Sequence, residues 1–508
     1  MPAAPDQSFG TAWGNPAPAG VYDLVIIGAG PAGLTAARAA AALGARAALI
    51  ERDRLGGGSL NVGSVPSKAI LRTAQLYADI GAAEHYGGRS LVNVEIDFAA
   101  VMARMRRVRR RIGDSISPDR LAAAGIDVFF GQARFAGPRS IEVGEVALRF
   151  HKALIATGSR SLTPTVPGLA EAGYLTNETV FDLTNRPRRL LVMGGGPLGC
   201  ELAQAFCRLG SQVIIAQDDP TFLPKEERDA AQFLSEALAR DGVEVRLNSS
   251  VTAVRTEGDQ KIVELVSEDS HIEVAVDEIL VGIGRARNVE ALRLDAAGVR
   301  YDAASGVEVD DFLRTSNRRI YAAGDVCLEH QFAHTAEASA RIAVLNALGL
   351  QRERLSALTV PWCTYTDPEI AHVGLYVREA WSRSIPVETY VMLMHDVDRA
   401  VTDGEDEGFV KIHMRQGTDR VLGATIVARH AGEMISEVSL AIRLGLGMRD
   451  LAKVIHAYPT QAAAVRMAAI AYTRAHPPLA LRVVRRLRMI QRAIRSRWPR
   501  ARGGSAIV

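Results

Sequence analysis

The chain has 508 residues, 48% of them hydrophobic and 45 of them Gly, with a formal net charge of +3. That length holds about three domains, and the composition reads as a soluble α/β protein. The charge is uneven: residues 474–508 carry ten Arg and no acid, which leaves the preceding 473 residues at −7 by difference from +3. The basic character is a property of the tail, and nucleic acid is not an expected partner. Four Cys (Cys200, Cys207, Cys327, Cys363) show neither CxxC nor Cys/His ligand spacing, so no disulfide framework and no metal site is expected. Cys200 and Cys207 fall on one helix face and read as buried thiols. No charged segment followed by an apolar one opens the sequence, and no apolar run reaches the ~18 residues of a membrane span, so a cytoplasmic location is expected.

Residues 1–20, rich in Ala, Pro and Gly, read as a disordered lead-in. Tyr22 to Ile27 then reads as a buried parallel strand entering Gly28-Ala29-Gly30-Pro31-Ala32-Gly33 and an Ala-rich helix. In this GxGxxG turn Gly28 permits the tight turn, Gly30 the approach of backbone to a pyrophosphate, and Gly33 close helix–strand packing. Glu51 closes the next strand 23 residues after Gly28, where an acid accepts ribose hydroxyls. Gly56 to Lys68 follows, with Ser59 and Ser64 five positions apart. Six Arg within Arg104–Arg111 read as the solvated face of a connecting helix.

A strand ends at Ala156-Thr157-Gly158, and a second strand–turn–helix unit follows on Gly194, Gly196 and Gly199, leading to Glu201 and to a further strand that ends in Gln217-Asp218-Asp219. Two such units argue for two dinucleotides, for which hydride exchange between a flavin and a nicotinamide is the obvious use. Gly282 to Arg285, Arg319 to Asp325 and His334 onward come next. After Pro361 the pattern changes, through Thr366 to Gly374 and then Ile455-His456-Ala457-Tyr458-Pro459-Thr460.

These motifs, in this order from about Tyr22 to Ala475, resemble the pyridine nucleotide-disulfide oxidoreductases, the family of glutathione reductase, lipoamide dehydrogenase and mercuric reductase. The resemblance implies an α/β fold with two Rossmann-like dinucleotide-binding domains, for FAD and NAD, plus a C-terminal α+β dimerisation domain and a basic helical tail. The implied limits are 21–158 with 287–352 for FAD, 159–286 for NAD(P), 353–475 for the interface domain and 476–508 for the tail. FAD would be held at Gly28, Gly30, Gly33, Glu51, Gly158, Gly324 and Asp325, and the nicotinamide dinucleotide at Gly194, Gly196, Gly199 and Asp218. Lys68 matches the family's Lys beside the flavin and Glu201 its ion-pair partner; a homodimer is implied.

The resemblance also marks departures. Ser59 and Ser64 stand where the family carries its redox-active Cys pair, and a hydroxyl ionises too weakly to replace a thiolate. Tyr458 and Ala463 stand where disulfide-handling relatives carry the His and Glu that act across the dimer interface; Tyr, with a pKa of ~10, is no base near neutrality. His456 should point elsewhere. The expectation is therefore an FAD-dependent NAD(P)H oxidoreductase of the mercuric reductase-like branch, passing electrons directly to a small-molecule or protein acceptor, with Lys68 and Glu201 at the flavin and Ser59, Ser64 and Tyr458 lining the acceptor side. An FAD/NAD(H)-binding pseudoenzyme is the alternative. An engineered Ser pair would leave Tyr458 and Ala463 unexplained. Asp218, lying where NADPH-specific relatives carry Arg, favours NADH. Leu479, Val483, Leu487, Ile490, Ile494 and Trp498 form a helical stripe among Arg, which suits either an anionic membrane surface or packing on the protein itself.

Overall fold

The computed structural model describes residues 13–88, 94–268, 270–349 and 352–497. It divides into two compact units, Met1–Ala371 and His372–Val508.

The first unit is built on a sheet ordered Ile126–Phe130, Ala47–Glu51, Val21–Ile27, Val146–Ile155, Ser140–Val143 and Ala133–Gly137, with Ile320–Ala322 added beside Val146–Ile155. The first four of these strands and Ile320–Ala322 are parallel neighbours. Val21–Ile27 and Ala47–Glu51 read as near-continuous apolar runs because helices and loops cover both faces of a parallel sheet. Helix Pro31–Ala42 packs on helix Ala333–Ala347 through Ala32, Ala36, Ala40, Ala336, Ala340 and Ala343, all within one core cluster. Small side chains let the helices close on the turn at Gly324. A Cβ there would meet those of Ala336 and Ala32 at 3.2 and 3.3 Å, and φ is +77°.

A second parallel sheet is ordered Glu244–Arg246, Gln212–Ala216, Arg189–Met193 and Glu278–Val281, with an antiparallel three-stranded sheet over Ser250–Val276 inserted before its last strand. Ser159–Ser161 pairs antiparallel with Arg285–Arg287, so the chain enters and leaves this module through one short ribbon. The fold is thus α/β, with a repeated dinucleotide-binding architecture.

The second compact unit contains the antiparallel meander Val387–Leu393, Phe409–Arg415 and Val421–Ala428, backed by helices Ala431–Leu444 and Ala463–Ala475, and then helix Leu479–Arg497. His372 is fully buried there, with Nδ1 2.8 Å from Thr425 Oγ1.

Two expectations are corrected. Residues 13–20 of the expected lead-in are anchored: Trp13 Nε1 donates to Val128 O at 3.0 Å, and Asn15 exchanges two hydrogen bonds with the backbone of Phe130. Residues 1–12 lie outside the described residues. The second compact unit starts at His372, inside the expected 353–475 segment. The segment before it adds strand Pro361–Thr364 to the five-stranded sheet and also bonds to helix Pro197–Arg208, since Asp367 N donates to Gln204 Oε1 and Arg208 pairs with Asp367. Finally, the Arg104–Arg111 run is only partly solvated. Arg104 donates to Ala69 O, Arg106 to Leu183 O and the buried Arg109 to Asn61 O, whereas Arg107, Arg110 and Arg111 are exposed.

Candidate active site

The two glycine turns share one geometry. A Cβ on Gly28 would lie 2.4 Å from Ala156 O and one on Gly194 2.7 Å from Gly282 O; both residues have φ near +100°. Gly33 and Gly199, five residues on, press their helices onto Gly28 O and Gly194 O, which a Cβ would meet at 1.7 and 2.2 Å. Each turn is also tied by the residue 23 positions after its first Gly. Glu51 Oε2 accepts from Ala29 N at 2.8 Å, and Gln217 Oε1 accepts from Gly195 N at 2.6 Å. Glu51 Oε1 accepts from Arg52 N and Asp53 N; burial pushes its carboxyl pKa up against these hydrogen bonds.

A cavity of about 960 Å³ opens from the first turn. Gly28, Gly30, Glu51, Gly158, Gly324 and Asp325 line it, together with Ser59, Ser64, Lys68 and Glu201, and it reaches Pro197 and Leu198 at the head of the second glycine helix. Gly33 acts behind the wall as a packing residue. Asp325 Oδ2 accepts from Ser159 Oγ at 2.6 Å, and Arg285 Nε donates to the same hydroxyl at 2.8 Å, so the acid is fixed by its neighbours. An elongated groove with a glycine turn and helix N-terminus at one end, a buried acid beside it and a cation further along fits FAD.

Ser59 lies on the short helix Gly57–Asn61 and Ser64 opens helix Ser64–Gly81. The break between them is tight: a Cβ on Gly63 would meet Gly58 O at 2.9 Å and Ser59 Cα at 3.4 Å. Asn177 Nδ2 donates to Val62 O at 2.9 Å and Arg109 to Asn61 O at 3.1 Å. One turn into the second helix, Lys68 Nζ donates to Glu201 Oε2 at 2.7 Å and lies 4.5 Å over the Tyr365 ring. Glu201 is 3% exposed, and its other oxygen accepts from Tyr365 N at 2.9 Å.

Cys363 is the thiol that lines the cavity. Burial first, and then Glu369 and Glu201, push its pKa well up. Burial pushes Cys207 up to about 11 and raises Cys200 and Cys327 as well, so all four thiols are free and protonated near neutrality.

The sequence patterns match this architecture. Residues 22–340 match the family described as pyridine nucleotide-disulphide oxidoreductase, and residues 360–469 match its dimerisation domain. The chain belongs to the pyridine nucleotide-disulphide oxidoreductases. This oxidoreductase is 32% identical over 451 residues to a mercuric reductase of Lysinibacillus sphaericus, covering 89% of this chain and 82% of the relative. It is 34% identical over 448 residues to a dihydrolipoyl dehydrogenase of Thermus scotoductus, covering 86% and 95%. The solved structure of LpdA from Mycobacterium tuberculosis superposes with a TM-score of 0.80 at 27% identity, over 89% of this chain and all of that one. Members of this kind are FAD-dependent pyridine nucleotide oxidoreductases.

Of the expected catalytic groups, Ser59, Ser64, Lys68 and Glu201 meet at the cavity of this oxidoreductase. Tyr458 does not join them. It belongs to the second unit, is 80% exposed, and donates to Asp398 Oδ2 at 2.7 Å. His456 bonds within the same unit, 2.9 Å from Glu437 Oε2. Asp218 is exposed, and the inward-facing residue at the end of its strand is Gln217. Sequence reasoning missed Gln217 although its spacing of 23 equals that of Glu51. It missed Tyr365 and Cys363, which no spacing marks, and Asn177.

Proposed function

We propose that this chain is an FAD-dependent NAD(P)H oxidoreductase whose electrons reach their acceptor without a redox-active disulfide. The observation that carries the reading is the cavity wall, where the Lys68–Glu201 pair stands with Ser59 and Ser64, and where the thiol present, Cys363, is held protonated. Bound FAD would supply hydride acceptance and electron release, which no side chain offers. Lys68 holds positive charge where negative charge develops, and Glu201 keeps that ammonium in place while receiving the Tyr365 amide. The hydroxyls of Ser59 and Ser64 line the acceptor side as hydrogen-bonding groups. NADH is the favoured donor, because the exposed Asp218 beside Gln217 would repel a 2′-phosphate. A cytoplasmic homodimer, with Tyr458 offered to the partner's cavity, completes the proposal.

Anaerobic stopped-flow with NADH tests it. The flavin absorbance should bleach within seconds with no long-wavelength thiolate charge-transfer band. A flavin that stays oxidised for minutes defeats the enzyme reading in favour of a nucleotide-binding pseudoenzyme; a charge-transfer band defeats the disulfide-free route.

A further inference from the structure

We infer that helix Leu479–Arg497 docks the protein on an anionic lipid bilayer surface. The helix holds seven Arg and no acid over 19 residues. At 100° per residue, Val483, Leu487, Ile490 and Ile494 share one face. These four apolar side chains are between 49% and 56% exposed, and Val484 beside them is 44% exposed. The opposite arc carries Arg482, Arg485, Arg488 and Arg492, all exposed, and no carboxylate pairs with them among the described residues. An apolar stripe opposite an acid-free, Arg-rich arc, which also holds the exposed Leu481 and Met489, fits a headgroup boundary, where the stripe enters the acyl region and the guanidiniums meet phosphates.

The helix also starts from a fixed root. His476 stacks on Tyr472 with centroids 4.6 Å apart, and its carbonyl accepts from Arg449 at 2.9 Å. After Pro477 and Pro478, Arg482 turns back to donate to Pro477 O. The helix is therefore tethered at its root, while the side chains from Ala480 to Ile494 are exposed. The dimerisation-domain match ends at residue 469, ten residues before this helix begins. Two other occupants fit less well. A second copy would set seven Arg against seven Arg with no acid on either helix. A nucleic acid would satisfy the charge and leave the stripe in water. No helix among the described residues is long and apolar enough to cross a membrane, so the contact is peripheral.

The test is co-sedimentation of the purified flavoprotein with vesicles of phosphatidylcholine alone and of phosphatidylcholine with phosphatidylglycerol. Three proteins are compared: the full chain, a chain truncated after His476, and full-length Leu487→Glu/Ile490→Glu, which keeps every Arg. The full chain should pellet with phosphatidylglycerol vesicles, lose binding as salt rises, and stay soluble with phosphatidylcholine alone. The truncated chain should remain in the supernatant, and the double variant should bind at least about tenfold more weakly. Equal pelleting of full and truncated chains overturns the inference. So does full binding by the double variant, or a smaller oligomer on truncation with no pelleting by either chain, which would place a second copy on the helix. Flavin absorbance and NADH oxidation by ferricyanide, read on all three proteins, report the proposed activity separately from lipid binding.

Discussion

Glu201 lies 2.7 Å from Lys68 Nζ across 133 residues of sequence, with the carboxylate side chain 3% and the ammonium side chain 33% exposed. The pair is therefore asymmetric. Removing the ammonium strands a buried carboxylate with one backbone N–H, whereas removing the carboxylate leaves an ammonium that still meets solvent and the Tyr365 ring. Lys68→Met should cost about 3 kcal/mol of stability, and Glu201→Gln distinctly less. Both should slow flavin reduction by NADH by roughly a hundredfold. Denaturant unfolding and stopped-flow reduction check the two effects; equal stabilities would contradict the burial argument.

Gln217 offers a neutral amide where Glu51 offers a carboxylate to the equivalent turn. Gln217→Glu should preserve the bond to Gly195 N and add a charge facing the adenosine ribose. The ratio of kcat/KM for NADH over NADPH should rise at least about tenfold. An unchanged ratio would remove Gln217 from cofactor selection.

Gly33 has no room for a methyl group, since its Cβ would sit 1.7 Å from Gly28 O. Gly33→Ala should yield protein with little bound FAD, whereas Gly196→Ala, where a Cβ meets nothing within 4 Å, should keep its flavin. Absorbance of the purified proteins decides this, and full flavin content in Gly33→Ala would show the turn to be more yielding than its geometry.

The thiols set an alkaline limit. Burial raises Cys207 to about 11, above the ordinary thiol value of about 8.5. A raised folded pKa means that the folded protein holds the proton more tightly, so this contribution is complete below about pH 8.5 and is lost as pH rises toward 11. Unfolding free energy should fall over that window, by less in Cys207→Ala. Alkylation of native protein by iodoacetamide near neutrality should be slow at all four Cys and fast after denaturation.

Much of the site was legible because close backbone approach leaves no choice but Gly. The two turns and Glu51 follow from spacing alone, whereas the strand expected to run through Gly158 stops at Ile155 and leaves Ala156 to Gly158 as the loop at the cavity. The Lys68–Glu201 pair came only through family resemblance, since nothing local links two residues 133 apart. The Arg104–Arg111 run misled because composition cannot tell an arginine in water from one, like Arg109, that reaches inward to a helix-end carbonyl. Trp13 and Asn15 misled for the converse reason, as a Pro- and Ala-rich segment hides two side chains that dock on a sheet edge. Tyr365 and Cys363 reach the cavity through tertiary packing, which no periodicity records.

The segment from Ser59 to Ser64 is held from outside by Asn177 on Val62 O and Arg109 on Asn61 O, and from within by Asn61 Nδ2 on Leu55 O and Gly57 O. None of these bonds uses the hydroxyl of Ser59 or Ser64. Substitution there changes the chemistry offered to the cavity while leaving its frame standing, which makes this stretch a place where a lineage can trade one reactivity for another at little structural risk.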